Sequence, residues 1–261
     1  MLFRSGLALA TVVGGALVQY APAPVHLSFW VLTAVTVLVG GFVFALPRHT
    51  RDEAVGPWRP RLPRMPREER AAFTAGTLGI SAAYAMGAIF LALGAQIARD
   101  LVRSDNAFVN GAIISISAVT IGVVAVLARP LRPRVAVTLG PVLALVGLGL
   151  LIVAGLDHSL AAFIASSLVA GAGYSLMFSG GLGLVTSSAP AHHRAAVISA
   201  AYVVGYLVQA LAALGLGVLA TTSGLQFALE LGAPVILLLG VAALVVANAG
   251  RRRRGAAVAA A

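Results

Sequence analysis

Eight apolar stretches, at roughly 5–21, 28–46, 71–97, 107–128, 135–156, 160–184, 195–219 and 227–248, leave little chain over for anything else. Each can cross about 30 Å of hydrocarbon at about 1.5 Å per residue, the first only just. None alternates polar and apolar residues with period two, which argues against a membrane barrel. In hydrocarbon the backbone has to bond to itself, so these runs predict helices. Only 10% of residues are charged, against about 25% for a soluble globule. The expected fold class is therefore all-α: a polytopic membrane protein of about eight transmembrane helices.

The breaks between the runs carry turn chemistry. Pro22 and Pro24 close the first span, and Pro130 and Pro133 separate the fourth from the fifth. Asp157-His158, Ala189-Pro190 and Thr221-Thr222-Ser223-Gly224 mark later turns. Residues 47–70 differ in kind, with Pro57, Pro60, Pro63 and Pro66 interleaved with seven arginines. This reads as a solvated linker. The expected organisation is two helices in 1–46, a basic linker over 47–70, six helices in 71–250 and a tail at 251–261.

Every basic residue is arginine, and the formal net charge is +10. With the N-terminus inside, alternate crossing places all the arginines except Arg99 and Arg103 on the cytoplasmic side. One missed helix would invert every later loop and destroy this asymmetry. Both termini are thus expected to be cytoplasmic, in a cell membrane of bacterial type. The arginines lie in short clusters between spans, so no nucleic-acid partner is expected. Arg251 to Arg254 suit anionic membrane lipids. Arg4 and Ala21-Pro22-Ala23 also outline a secretory signal, but proline in the cleavage triplet favours a retained span.

Catalytic signatures are sparse. The chain has no cysteine, which excludes thiolate metal sites and cysteine nucleophiles. His192 and His193 are adjacent, so they point to different sides of a helix and make a poor metal pair. Glu230 lies near the outer end of the last span, where facing water is expected. No nucleotide-binding motif is present, and neither a cofactor nor an enzymatic activity is expected.

Polar residues inside the spans are the better candidates. Tyr202, Tyr206 and Gln209 fall at i, i+4 and i+7 on one face of the seventh span. Asn110 shares a face of the fourth span with Ser117, Tyr84 lies within the third, and Tyr174 and Ser175 lie within the sixth. Such groups at bilayer depth face either neighbouring helices or a water-filled cavity. Spacing alone leaves both open. Glycines at 171, 173, 180, 181 and 183, and at 205, 215 and 217, allow close helix packing or bending.

In order and spacing, several segments resemble the major facilitator superfamily. Gly6-Leu-Ala-Leu-Ala-Thr-Val-Val-Gly14-Gly15 is similar to the glycine-rich fifth-helix motif of its drug-efflux members, with Ala10 and Thr11 in place of Gly-Pro. Leu46-Pro47-Arg48 resembles the sixth-helix exit. Arg129-Pro-Leu-Arg132-Pro-Arg134 resembles the basic loop between helices eight and nine, with Ala128 where an aspartate is usual. Pro190-Ala-His-His-Arg194, running into Tyr202-Val-Val-Gly205-Tyr206, resembles the entry to helix eleven.

The resemblance implies helices five to twelve of a twelve-helix permease that rocks about a midplane cavity. It also implies a small-molecule substrate, efflux as its direction, and partners in the form of further N-terminal helices or a second copy. The implied substrate-binding residues are Tyr84, Asn110, Tyr174, Tyr202, Tyr206 and Gln209. A non-transporting membrane scaffold derived from a permease is the alternative.

Overall fold

The structure, a computed structural model, describes residues 2–45, 69–92, 107–189, 194–224 and most of 226–249. The elements are α1 (Leu2–Tyr20), α2 (Pro24–Ala45), α3 (Arg70–Ala92), α4 (Ala107–Leu127), α5 (Pro133–Leu156), α6 (Leu160–Ser188) and α7 (Arg194–Ser223). The described residues within 226–249 are helical and are called α8. No strand occurs among the described residues. Five of these segments are long and apolar enough to cross a membrane: His26–Ala45, Arg70–Phe90, Pro133–Leu156, Leu160–Ser188 and Arg194–Ser223. Most of the expected linker, and the tail, lie outside the described residues.

Helix ends differ from the sequence expectation in instructive ways. Pro24 opens α2 instead of closing the first span, because proline lacks only an N–H that the first turn leaves unbonded anyway. Pro133 plays the same part in α5. Ser159 caps α6 by accepting from the Ala162 N–H at 3.3 Å. Thr221 and Thr222 stay helical, their hydroxyls donating to the Gly217 and Val218 carbonyls. The break comes at Gly224, whose φ of +92° suits a helix terminus.

Polar side chains within the spans mostly bond inside their own helix. On α2, which is exposed along its length, Thr33 and Thr36 donate to the carbonyls of Phe29 and Leu32 at 2.8 Å. That back-bonding hides the hydroxyl hydrogen from hydrocarbon.

Helix directions follow from which residues meet. Tyr20 at the end of α1 lies 6.1 Å, ring to ring, from Phe108 at the start of α4, so these helices are antiparallel. Gly76 of α3 meets Gly181 of α6, and Gly87 meets Tyr174, again antiparallel. Gly171 touches Ser117 and Thr120 while Ser175 donates to the Ile121 carbonyl, so α6 and α4 run parallel. Ala75, Val137, Leu184 and Ala243 cluster where α3 and α5 begin and where α6 and α8 approach their ends. Every odd–even pair seen here is antiparallel, and α4 with α6 is parallel. Alternate crossing requires that arrangement.

Glycine sets the closest approaches. A methyl group on Gly147 would meet the Ala170 nitrogen at 2.6 Å, and one on Gly173 would meet the Ala144 nitrogen at 2.6 Å. These contacts draw α5 onto α6 along its length, and the Ser166 hydroxyl adds a bond to the Gly147 carbonyl at 2.8 Å. The α6 glycines therefore serve packing. A methyl group on Gly215 or Gly217 of α7 would meet no described residue within 4 Å.

Candidate functional site

α3 lies against both α6 and α7, while those two touch each other little. This leaves a cleft between α6 and α7 with α3 as its floor. The α3–α7 seam is set by Gly205, where an added methyl would lie 2.7 Å from the Tyr84 ring and 3.0 Å from Ile80. On the α6 side Gly87 has the same role, with the Tyr174 ring 3.1 Å and the Gln209 amide nitrogen 3.9 Å from its Cβ position.

Aromatic rings fill the cleft. Tyr84 of α3 stacks on Tyr206 of α7 at 4.8 Å between centroids, and Tyr206 is near-parallel to Tyr202, 27° apart at 6.3 Å. Phe178 of α6 lies 5.7 Å from Tyr84 and 6.1 Å from Tyr202. Tyr174 and Phe178 are parallel to within 11°. Offset and tilted pairs of this kind contribute about 0.5–1.5 kcal/mol each beyond the area they bury. The cluster is graded in exposure: Tyr84 is buried, Tyr174, Tyr202 and Gln209 are half-buried, and Tyr206 is open.

α7 consequently presents three faces. Val197, Ala201, Gly205 and Leu216 are buried. Val203, Leu207, Leu211, Leu214 and Val218 are exposed and apolar, which suits lipid or another helix. Tyr202, Tyr206 and Gln209 form the polar strip between them.

Five of the six expected site residues, Tyr84, Tyr174, Tyr202, Tyr206 and Gln209, thus come together from three helices. Asn110 lies in α4, and its side chain is outside the described residues. Ser175, expected with Tyr174, points the other way and bridges to the Ile121 carbonyl of α4 at 2.9 Å. Ser117 bonds within its own helix, to the Ile114 carbonyl at 2.9 Å. Phe178 is a further member of the cluster, one that polarity along the sequence does not single out. Its signal was available: it follows Tyr174 by four residues and so shares that helical face.

The described parts of the helices that form the cleft carry charge only at their starts. Among the described residues of α3, α6 and α7 only Arg70 and Arg194 are charged, both at helix starts. Glu230 is exposed, as expected, and accepts from the Gln226 amide at 3.1 Å. His192 and His193 lie outside the described residues.

A bundle of helices, five of them long and apolar enough to cross a membrane, defines a polytopic membrane protein. A model of the Major Facilitator Superfamily matches residues 1–213, and the chain belongs to that superfamily of membrane transporters. No curated protein and no solved structure matches the chain.

Proposed function

We propose that the protein is a secondary active permease that exports small organic molecules by alternating access, and that the cleft between α6 and α7 is its substrate-binding face. The carrying observation is the convergence of Tyr84, Tyr174, Tyr202, Tyr206 and Gln209 from three helices onto one cleft. Tyr206, which packs on Tyr84 and neighbours Tyr202, is 53% exposed and so is not enclosed by the described helices. Hydroxyl and amide groups at bilayer depth are costly unless they meet water, a ligand or another helix.

The locked α5–α6 pair gives a rigid wall, whereas α7 rests mainly on α3. Rocking motions of the family type would then change the cleft at its α7 side. The uncovered apolar face of α7 is consistent with further helices, from outside residues 1–261 or from a second copy, closing the cavity. The setting is a cell membrane with both chain termini in the cytoplasm, as the arginine distribution favours.

The test is export from cells, or counterflow in liposomes, with the protein as its gene encodes it. Tyr206→Ala and Tyr202→Ala should abolish saturable transport at unchanged protein level, and Leu207→Ala should not. Equal transport in all three variants would remove the proposal.

A further inference from the structure

Helices joined by a short turn ordinarily pack against each other. α4 and α5 do not. Residues 128–132 connect them directly, yet the two helices barely touch, and each rests on α6 instead. α6 bears α4 through Gly171 and Ser175, and α5 through Gly173 and Gly180. At about 100° of turn per residue, Ala172 and Leu168 fall between those two rows, on the side of α6 turned away from Tyr174. Leu168 is accordingly 46% exposed, although Ser167 and Ala170 beside it are buried.

This leaves a groove floored by α6. Leu139 and Val146 of α5, each one residue before a glycine that meets α6, are exposed along one wall. Val123 and Leu127 of α4 are exposed along the other. The side chains are aliphatic. From Leu139 to Leu150 the α5 wall runs about 16 Å, close to half of the roughly 30 Å hydrocarbon core.

One end of the groove is strongly basic. The turn across it carries Arg129 and Arg132, and Arg134 stands at the start of α5; all three are exposed. Leu127 and Leu131 lie exposed among them. The turn is also held in place. The Leu131 N–H donates to the Ala128 carbonyl at 3.0 Å, and a methyl group on Gly183 of α6 would lie 2.8 Å from Pro133.

We propose that the groove between α4 and α5 binds one anionic phospholipid, with an acyl chain along Leu139, Val146 and Leu168 and the phosphate at Arg129, Arg132 and Arg134. An aliphatic slot of one leaflet's depth that ends at a fixed basic turn matches the two parts of such a molecule. Guanidinium groups bond phosphate oxygens in pairs, and basic clusters between membrane helices favour anionic headgroups. A zwitterionic lipid would bring its own cation beside the arginines. The groove is separate from the cleft between α6 and α7, so the lipid site does not depend on the transport reading. Since α4 and α5 have little direct contact, a lipid seated there fills the seam between them, and its binding should raise Tm.

Native mass spectrometry of the purified protein counts bound lipid directly. Dioleoylphosphatidylglycerol should bind saturably and about tenfold more tightly than dioleoylphosphatidylcholine. Glycerol 3-phosphate, which has the phosphate without the chains, should not displace it. Arg129→Gln and Arg132→Gln should each weaken phosphatidylglycerol about fivefold, as expected for one basic residue at an anionic headgroup. Leu168→Trp fills the groove from its floor, leaves the arginines in place and should weaken both lipids. All three residues are exposed, so these variants should fold, with lipid-free Tm as the check. Replacing Arg251 to Arg254 together by glutamine should leave the bound lipid in place.

Equal retention of the two lipids, or unchanged phosphatidylglycerol binding in both arginine variants, would overturn the proposal. So would displacement by glycerol 3-phosphate, which would make this a site for free phosphate compounds. Loss of the lipid on replacing Arg251 to Arg254 would move it to the tail, and unaltered binding in Leu168→Trp would move it out of the groove. A dimer that carries no phosphatidylglycerol would give the groove to a second copy. Each of these results contradicts the proposed site.

Discussion

Tyr84 and Tyr206 stack at 4.8 Å with their planes 29° apart, although the first belongs to the buried core and the second opens to the cleft. The pair joins the buried part of the bundle to the exposed part proposed to meet a ligand. Substitutions at its two ends should therefore behave differently.

Tyr84→Ala should remove a buried ring and leave a cavity beside Gly205, Phe178 and Tyr202. A loss of about 3–5 kcal/mol is expected, read as a large fall in Tm. Tyr206→Phe keeps the ring and loses one hydroxyl. It should shift Tm little, within about 0.5 kcal/mol, while impairing transport of a substrate that bonds to the hydroxyl. A clear Tm drop with transport kinetics intact would assign Tyr206 to packing.

Two glycines two residues apart on α5 provide a test of helix packing. At Gly147 a methyl group would collide with the Ala170 backbone at 2.6 Å, whereas at Gly149 it would meet no described residue within 4 Å. Gly147→Ala should destabilise by about 1–3 kcal/mol through overpacking, and Gly149→Ala should leave Tm unchanged or slightly raised. Thermal unfolding in detergent distinguishes them, and equal effects would contradict the close α5–α6 approach.

Buried hydroxyls divide the same way. The Ser166 hydroxyl bonds to the Gly147 carbonyl, while those of Thr77 and Ser81 have no partner among the described residues. Ser166→Ala should cost about 0.6 kcal/mol, the average for an interhelical bond in a membrane protein. Thr77→Val should instead raise stability, by about 1 kcal/mol, because it removes an unmet polar group at constant shape. A lowered Tm for Thr77→Val would point to a partner for that hydroxyl.

Sidedness can be read by labelling, since the chain has no cysteine background. Asp157 is exposed in the turn between α5 and α6, and replacing it spares the Ser159 cap. Asp157→Cys should react with an impermeant thiol reagent from outside the cell, and Thr50→Cys only after the membrane is opened. The reverse pattern would invert the orientation inferred from the arginines.

Much of the fold was legible in the sequence because hydrocarbon permits so few solutions. Uninterrupted apolar runs of membrane length must be helices, and Pro24, Pro133 and Gly224 mark ends among them, although Pro141 lies inside α5. Thr221–Ser223 does not break the helix, because the two threonine hydroxyls bond back to the preceding turn. The candidate site was half legible. The i, i+4, i+7 spacing put Tyr202, Tyr206 and Gln209 on one face, but spacing within a helix says nothing of its neighbours. That Gly205 would admit the Tyr84 ring, or that Ser175 would turn to α4 while Tyr174 turned to α3, depends on close approaches between helices. In so uniformly apolar a chain, polarity does not mark which face is buried. α2, apolar and exposed along its length, makes the same point.

The central claim is that the Tyr202–Tyr206–Gln209 strip of α7 faces a water-accessible cavity while the adjoining Leu207 face does not. Cysteine accessibility tests it without requiring a known substrate. Tyr206→Cys and Leu207→Cys proteins, in membranes, are exposed to a charged thiol reagent that reacts only in water. The account predicts rapid modification of Tyr206→Cys and protection of Leu207→Cys. Modification of Leu207→Cys alone, or of neither protein, would contradict it.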